Sequence, residues 1–201
     1  MEFAAEHRFP APTSVVADVL VDPTFYEALD LPDLRLDGVV AAPEAGDPGE
    51  AWDPGEAGDP EAPGHPGVAG VRLLVLRYEY TGALDPMARR LLGGGRLTWT
   101  QEVRIAAPAP ADPRAGTVDG EVIEGWLAFR SEERPELLHG DARFDLTPDG
   151  AATVRRLAGQ VVVALPVIGG MAERRIVPGF LARLDVEAEG VRRRCNPAGA
   201  R

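Results

Sequence analysis

Residues 155–194 read RRLAGQVVVALPVIGGMAERRIVPGFLARLDVEAEGVRRR, and this stretch decides the fold. Its first part, from Arg155, alternates Leu157, Gly159, Val161, Val163 and Leu165 with Ala158, Gln160, Val162 and Ala164, the period of a β-strand. Pro166-Val167-Ile168-Gly169-Gly170 then turns the chain. After it, Met171, Val177, Phe180, Leu181, Leu184 and Val191 recur at three- and four-residue steps, the stripe of a long helix that ends in Arg192-Arg193-Arg194. Positive charge there suits the C-terminal end of the helix dipole. Pro178-Gly179 marks a weak point between two apolar halves of the helix, because proline removes one backbone bond. A sheet that ends by laying one long apolar helix across itself predicts an enclosed interior and a protein that holds something greasy.

Working outward, the rest of the chain reads as strands and turns. Phe3 to Phe9 is a strand. Pro12 to Val21 is a short helix with Val15, Val16, Val19 and Leu20 on one apolar face, and Asp22-Pro23 caps a second, Thr24 to Leu29. Strands follow at Leu34–Ala41, Val71–Tyr80, Leu97–Ile105, Val118–Arg130 and Leu138–Thr147. Pro148-Asp149-Gly150 turns into the return strand, Ala151–Leu165. Asp85-Pro86 opens a helical turn that Gly93-Gly94-Gly95 closes. The order predicts an α+β domain covering residues 1–201: an antiparallel sheet of about seven strands, two short helices after strand one, and a long C-terminal helix.

Residues 43–67 are different material. A unit Asp-Pro-Gly-Glu-Ala-x occurs at 47–52 and 53–58 and then decays, with Pro and Gly throughout. Seven acidic residues and no Arg lie here, so most of the net charge of −11 belongs to this run. It reads as a disordered insertion between strands two and three, since it has little apolar surface to offset ordering entropy. Trp52 leaves open a second role for it, a short motif that docks a protein partner.

The composition excludes several functions. All 21 basic residues are Arg, in keeping with a high-GC bacterial genome. The acidic balance disfavours nucleic acid and anionic membrane surfaces. The single cysteine, Cys195, cannot form an internal disulfide, and residues 1–8 lack the pattern of a signal peptide, so a cytoplasmic location is expected. No apolar run is long enough for stable membrane insertion. His7, His65 and His139 make no metal-ligand spacing, and no phosphate-cradling loop or nucleophile elbow is present, so neither metal nor cofactor is expected. Acidic groups such as Glu121 with Glu124, Glu132 with Glu133, and Asp185, Glu187 and Glu189 read as solvated faces. His7 shares a strand face with Phe3, Ala5 and Phe9 and reads as a structural histidine.

If the apolar faces point inward, the interior is lined by Leu74, Leu76 and Tyr78, by Leu97, Trp99 and Gln101, and by Ile123, Leu127 and Phe129. Phe144, Leu146, Val161, Val163, Phe180 and Leu184 complete it, with Tyr78 and Gln101 as polar handles. The alternative is that these side chains fill the interior completely.

The order of elements is the helix-grip layout. Phe9 to Phe25 resembles the opening strand-to-helix signature of the START-like superfamily of polyketide cyclases, lipid-transfer domains and birch-pollen-allergen-like proteins. The chain more closely resembles its uncharacterised bacterial branch, domain of unknown function 2505, at residues 76–82, 96–102 and 163–173. The likeness covers the chain outside residues 43–67, and the acidic insertion and Pro178-Gly179 depart from it. It implies a cavity for a hydrophobic small molecule, lipid-like or polyketide-like, and brings no catalytic set. Two other readings stay open. One is a cyclase-, aromatase- or hydrolase-like enzyme using His7, Tyr78 or Glu124. The other is an interaction module working through the acidic run.

Overall fold

The computed structural model describes residues 1–40, 71–83, 96–106, 122–165 and 169–196. The acidic run at 43–67, the helical turn expected after Asp85 and the start of the strand expected from Val118 lie outside them.

Seven strands form one antiparallel sheet: β1 (Glu2–Phe9), β2 (Leu34–Val40), β3 (Val71–Tyr80), β4 (Thr98–Ala106), β5 (Ile123–Ser131), β6 (Leu138–Asp149) and β7 (Ala152–Val163). Their order is β1-β7-β6-β5-β4-β3-β2, so β2 to β7 form a meander and β1 returns beside β7. Two short helices, α1 (Thr13–Leu20) and α2 (Pro23–Glu27), link β1 to β2. The chain ends in α3 (Gly169–Cys195), 27 residues long.

Local chemistry explains the joints. Asp22 caps α2 by accepting from the Thr24 amide at 2.9 Å, and Pro23 takes the first helical position. Pro12 stands one place earlier than expected, at the N-cap of α1, where its carbonyl accepts from the Val16 amide. Gly150 has φ +63° at the first position of the two-residue β6–β7 turn, the arrangement of a II′ hairpin. Gly169 is required where α3 leaves the sheet, because a Cβ there would stand 2.2 Å from the Val163 carbonyl oxygen.

The core lies between the concave face of the curved sheet and the helices. Cross-strand rows build it, such as Ala5–Leu157–Phe144–Gly125–Ile105 and Phe3–Gly159–Ala142–Leu127–Val103–Leu74. Two phenylalanine rings lie over glycines on the neighbouring strand, Phe144 over Gly125 and Phe129 over Gly140. Glycine there leaves the inner face room for a whole ring. Helix α3 presses Phe180 onto Phe3 and Phe129, with ring centroids 5.0 and 5.4 Å apart. It receives α2 and the residues just after it at Gly190, where a Cβ would stand 3.1 Å from Phe25 and 2.6 Å from Leu29.

Three expectations need correction. Val15 is exposed, and Ala17 takes its place on the buried face of α1. Met171 is exposed because the first turn of α3 meets the sheet through Gly169 and Glu173 at Val163, and the helix's apolar contacts with the core begin at Ile176 and Val177. Glu187, expected on a solvated face, is buried.

Changing Gly125 to Ala is expected to cost about 1–3 kcal/mol, because its methyl would stand 2.1 Å from Phe144 Cζ in a packed interior. Urea unfolding checks this, and an unchanged midpoint would show that the ring moves freely. Deleting residues 43–67 is expected to shift the melting temperature by less than about 5 °C, since β2 and β3 are adjacent antiparallel strands and loop length alters closure entropy only weakly. A larger fall would show that the run packs on the domain.

Candidate functional site

The site lies between the inner face of the sheet and α3. Of the residues expected to line it, Leu74, Leu76, Tyr78, Gln101, Ile123, Leu127, Phe129, Phe144, Leu146, Val161, Val163 and Leu184 are buried there. Trp99 and Phe180 are half-buried against the same cluster. Leu97 is half-buried just before β4, and its carbonyl accepts from the Tyr80 amide.

Polar side chains interrupt this apolar layer in two groups. The sequence alone singles out His7, Tyr78 and Gln101 for the interior. It does not reveal that Arg155 joins His7 there, or that Arg183 joins Tyr78. Arg155 stands opposite His7 across the β1–β7 ladder. Its Nη1 donates to Glu187 Oε1 of α3 at 2.6 Å, and both side chains are almost fully buried. Its Nη2 lies 3.2 Å from His7 Nδ1, while His7 Nε2 lies 3.0 Å from Asp185 Oδ1. A guanidinium only donates, so Nδ1 accepts and Nε2–H donates to Asp185, which assigns the neutral tautomer. Burial, and secondarily the Arg155 charge, hold the His7 pKa below its ordinary value of 6.5, against the opposing pull of Asp185. Both ring nitrogens of His7 are thereby committed.

The second group lies toward the other edge of the sheet. Arg183 donates from Nη1 to Gln101 Oε1. Its guanidinium carbon stands 4.6 Å from the centre of the Tyr78 ring, a cation–π distance, and that ring stacks with Trp99 at 5.7 Å. Burial pushes the Tyr78 phenol above its usual range, partly offset by Arg183. Tyr78 Oη, Gln101 Nε2, Arg183 Nε and Arg183 Nη2 are buried without a partner in good hydrogen-bond geometry, although Arg183 approaches the Tyr78 phenol closely enough to counter the effect of burial on it. Deeper still, Tyr26 is neutral, its pKa raised by burial, and its hydroxyl donates to the Leu20 carbonyl.

The three residues considered for acid–base work do not converge. Glu124 is on the outer face, where it lines an open groove with Trp126, Arg143 and Arg156. Alternation along β5 puts it opposite in direction to Ile123 and Leu127. Signals for the missed residues do exist in the sequence: Arg155 shares the parity of Leu157, and Arg183 and Glu187 flank Leu184 and Ala188 at helical spacing. Among the described residues, no group of three or more His, Cys, Asp or Glu is placed to hold a metal, and no helix is long and apolar enough to cross a membrane.

A seven-stranded antiparallel sheet gripping a long C-terminal helix, with two short helices after the first strand, is the START-like helix-grip fold. No protein-family model matches the chain, and no curated protein matches it. Among solved structures, TTHA0849 from Thermus thermophilus is similar over 100% of both chains, with a TM-score of 0.54 at 14% identity; this likeness is one of fold. A START superfamily protein from Mycobacterium smegmatis matches at a TM-score of 0.44 and 16% identity over 98% of each chain. Ara h 8.0201 matches at 0.41 and 9% over 95% of this chain and 97% of that one.

Because the folded protein resists protonating His7, stability is expected to be full above pH 6.5 and to decline as pH falls below it. The stability advantage of wild type over His7→Gln should therefore shrink between about pH 7.5 and pH 5.5. A constant difference in urea unfolding would show that His7 titrates alike in both states. Glu187→Leu alone is expected to cost about 3–5 kcal/mol by stranding Arg155, and adding Arg155→Met should recover most of it. Equal instability of the single and double variants would show that the pair does not act as a unit.

Proposed function

We propose that the protein binds and carries a hydrophobic small molecule between the concave face of the sheet and α3. The observation behind this reading is the set of buried polar atoms on Tyr78, Gln101 and Arg183 that no described group satisfies, set in an otherwise apolar layer. A core that only packed would carry a cost of about 1–3 kcal/mol for each such group. A bound molecule that supplied acceptors would remove that cost, and the aromatic and aliphatic side chains around them would hold its apolar part. Trp99, Tyr78 and Phe180 are the large surfaces available for that contact. Within the superfamily, we place the chain with domain of unknown function 2505 on the sequence segments named above. The role of residues 43–67 in docking a protein partner is a separate proposal, and it rests on their composition alone.

Entry requires the helix and sheet to part. Pro178 and Gly179 are both on the exposed side of α3, and the proline leaves the Arg174 carbonyl without its helical bond. A helix weakened at its middle opens locally at lower cost than a continuous one.

Native mass spectrometry of the purified protein is expected to show an extra mass that disappears on denaturation. Protein that is bare, and that also fails to enhance the fluorescence of a long-chain hydrophobic probe, would overturn the reading. Replacing Pro178 and Gly179 together by Ala is expected to slow dissociation of such a probe by about threefold or more, as local opening becomes rarer. Equal stopped-flow rates in the two proteins would remove the gating role from this pair.

A further inference from the structure

We infer that the ligand carries a carboxylate, and that Arg183, with Tyr78 and Gln101, is its receptor; this rests on the carrier reading above.

The argument begins with charge. Two arginines and one glutamate are buried among the described residues: Arg155, Arg183 and Glu187. Arg155 and Glu187 neutralise each other at 2.6 Å. Arg183 is 7% exposed and has no carboxylate in salt-bridge range among the described residues. A lysine in its place could shed its proton on burial, but a guanidinium cannot, and this chain contains no lysine at all. Glu187, one helical turn from Arg183, is already spent on Arg155, so the interior carries one more positive charge than negative, where a buried charge is normally paired.

Geometry then selects the anion. Arg183 spends Nη1 on Gln101 Oε1. The nitrogens left over are Nε and Nη2, which form one edge of the guanidinium plane. Their N–H bonds run parallel, the fork that a planar carboxylate meets with both oxygens. The two side chains touching Arg183 each hold one further unspent donor, the Tyr78 hydroxyl and the Gln101 amide nitrogen. That makes four donor atoms without a partner on three adjoining side chains, while Glu187, the buried acid one helical turn away, is held by Arg155. The raised phenol pKa keeps Tyr78 protonated and able to donate. The Trp99 ring stacked on Tyr78, and Phe129 opposite Gln101 on β5, supply apolar surface next to the polar spot. The ligand class is thus an amphipathic monocarboxylic acid, with its head on Arg183 and its tail in the apolar layer.

The test compares pyrenedodecanoic acid with pyrenedodecanol by fluorescence titration of the full chain. Wild type is expected to bind the acid at least about tenfold more tightly, the scale of a charge-assisted fork. Arg183→Met should bring that ratio to about one while alcohol binding persists. Tyr78→Phe should weaken the acid by about three- to tenfold, and the alcohol by less. Gln101→Glu puts the chain's own carboxylate beside Arg183, so it should abolish the acid preference and raise the melting temperature without ligand. This arm does not depend on the Arg183 variant folding. Dodecanoate should displace the probe better than dodecyl phosphate; the reverse would overturn the carboxylate assignment. Equal binding of acid and alcohol by wild type, or an unchanged ratio in Arg183→Met, would overturn the receptor and leave the carrier reading standing. Binding of neither probe would overturn both.

Discussion

Arg155 and Glu187 meet at 2.6 Å in the interior, one from β7 and the other from α3, and the placement of the helix on the sheet depends on that contact. Desolvating both charges is costly, so the pair adds little net stability. Its effect is positional. Sliding or rotating α3 by one residue would leave two buried charges unpaired, an error that apolar side chains, which tolerate repacking, would not penalise as strongly. His7 extends the constraint to β1 through Arg155, and Asp185 returns it to the helix. Four side chains from three elements thus lock one end of the grip.

With that end fixed, the remainder of α3 falls where helical spacing puts it. Leu184, Ala188 and Val191 enter the core, and Phe180 reaches the rings of Phe3 and Phe129. The glycines beneath Phe144 and Phe129 let the inner face hold those rings close to the backbone, leaving depth for a helix above. One turn before Glu187, the same helix delivers Arg183 to the opposite side of the layer, against Tyr78 and Gln101. The two arginines receive different treatment: the first is neutralised, the second is not. This asymmetry separates a neutralised end of the interior from the end where the proposed ligand would sit.

The acid–base candidates are disposed of by the same packing. His7 has one nitrogen accepting from Arg155 and the other donating to Asp185, so neither is free to take a proton from a substrate. Glu124 is turned outward by the pleat of β5. Tyr78 remains a donor whose phenol burial keeps protonated, a property suited to holding an anion.

Most of the fold was legible in residue order. Period-two alternation in β3 and β7, Asp22-Pro23 before α2, Gly150 in the last hairpin and the stripe along α3 each depend on neighbours within a few residues, so the chain states them directly. The inward direction of Leu76, Tyr78, Gln101 and Phe129 followed from the same alternation. The polar architecture did not. Asp185, Glu187 and Glu189 look alike as a charged run on a helix, yet Glu187 is buried because Arg155, 32 residues earlier, arrives from the facing wall. Spacing along one element cannot reveal which charge another element will meet, and burial of a charge is decided by that meeting. By itself, therefore, the sequence determined the strands, the helices and which faces are apolar. Only the tertiary structure decided which charges are paired inside, because pairing depends on the approach of β7, β4 and β3 to α3.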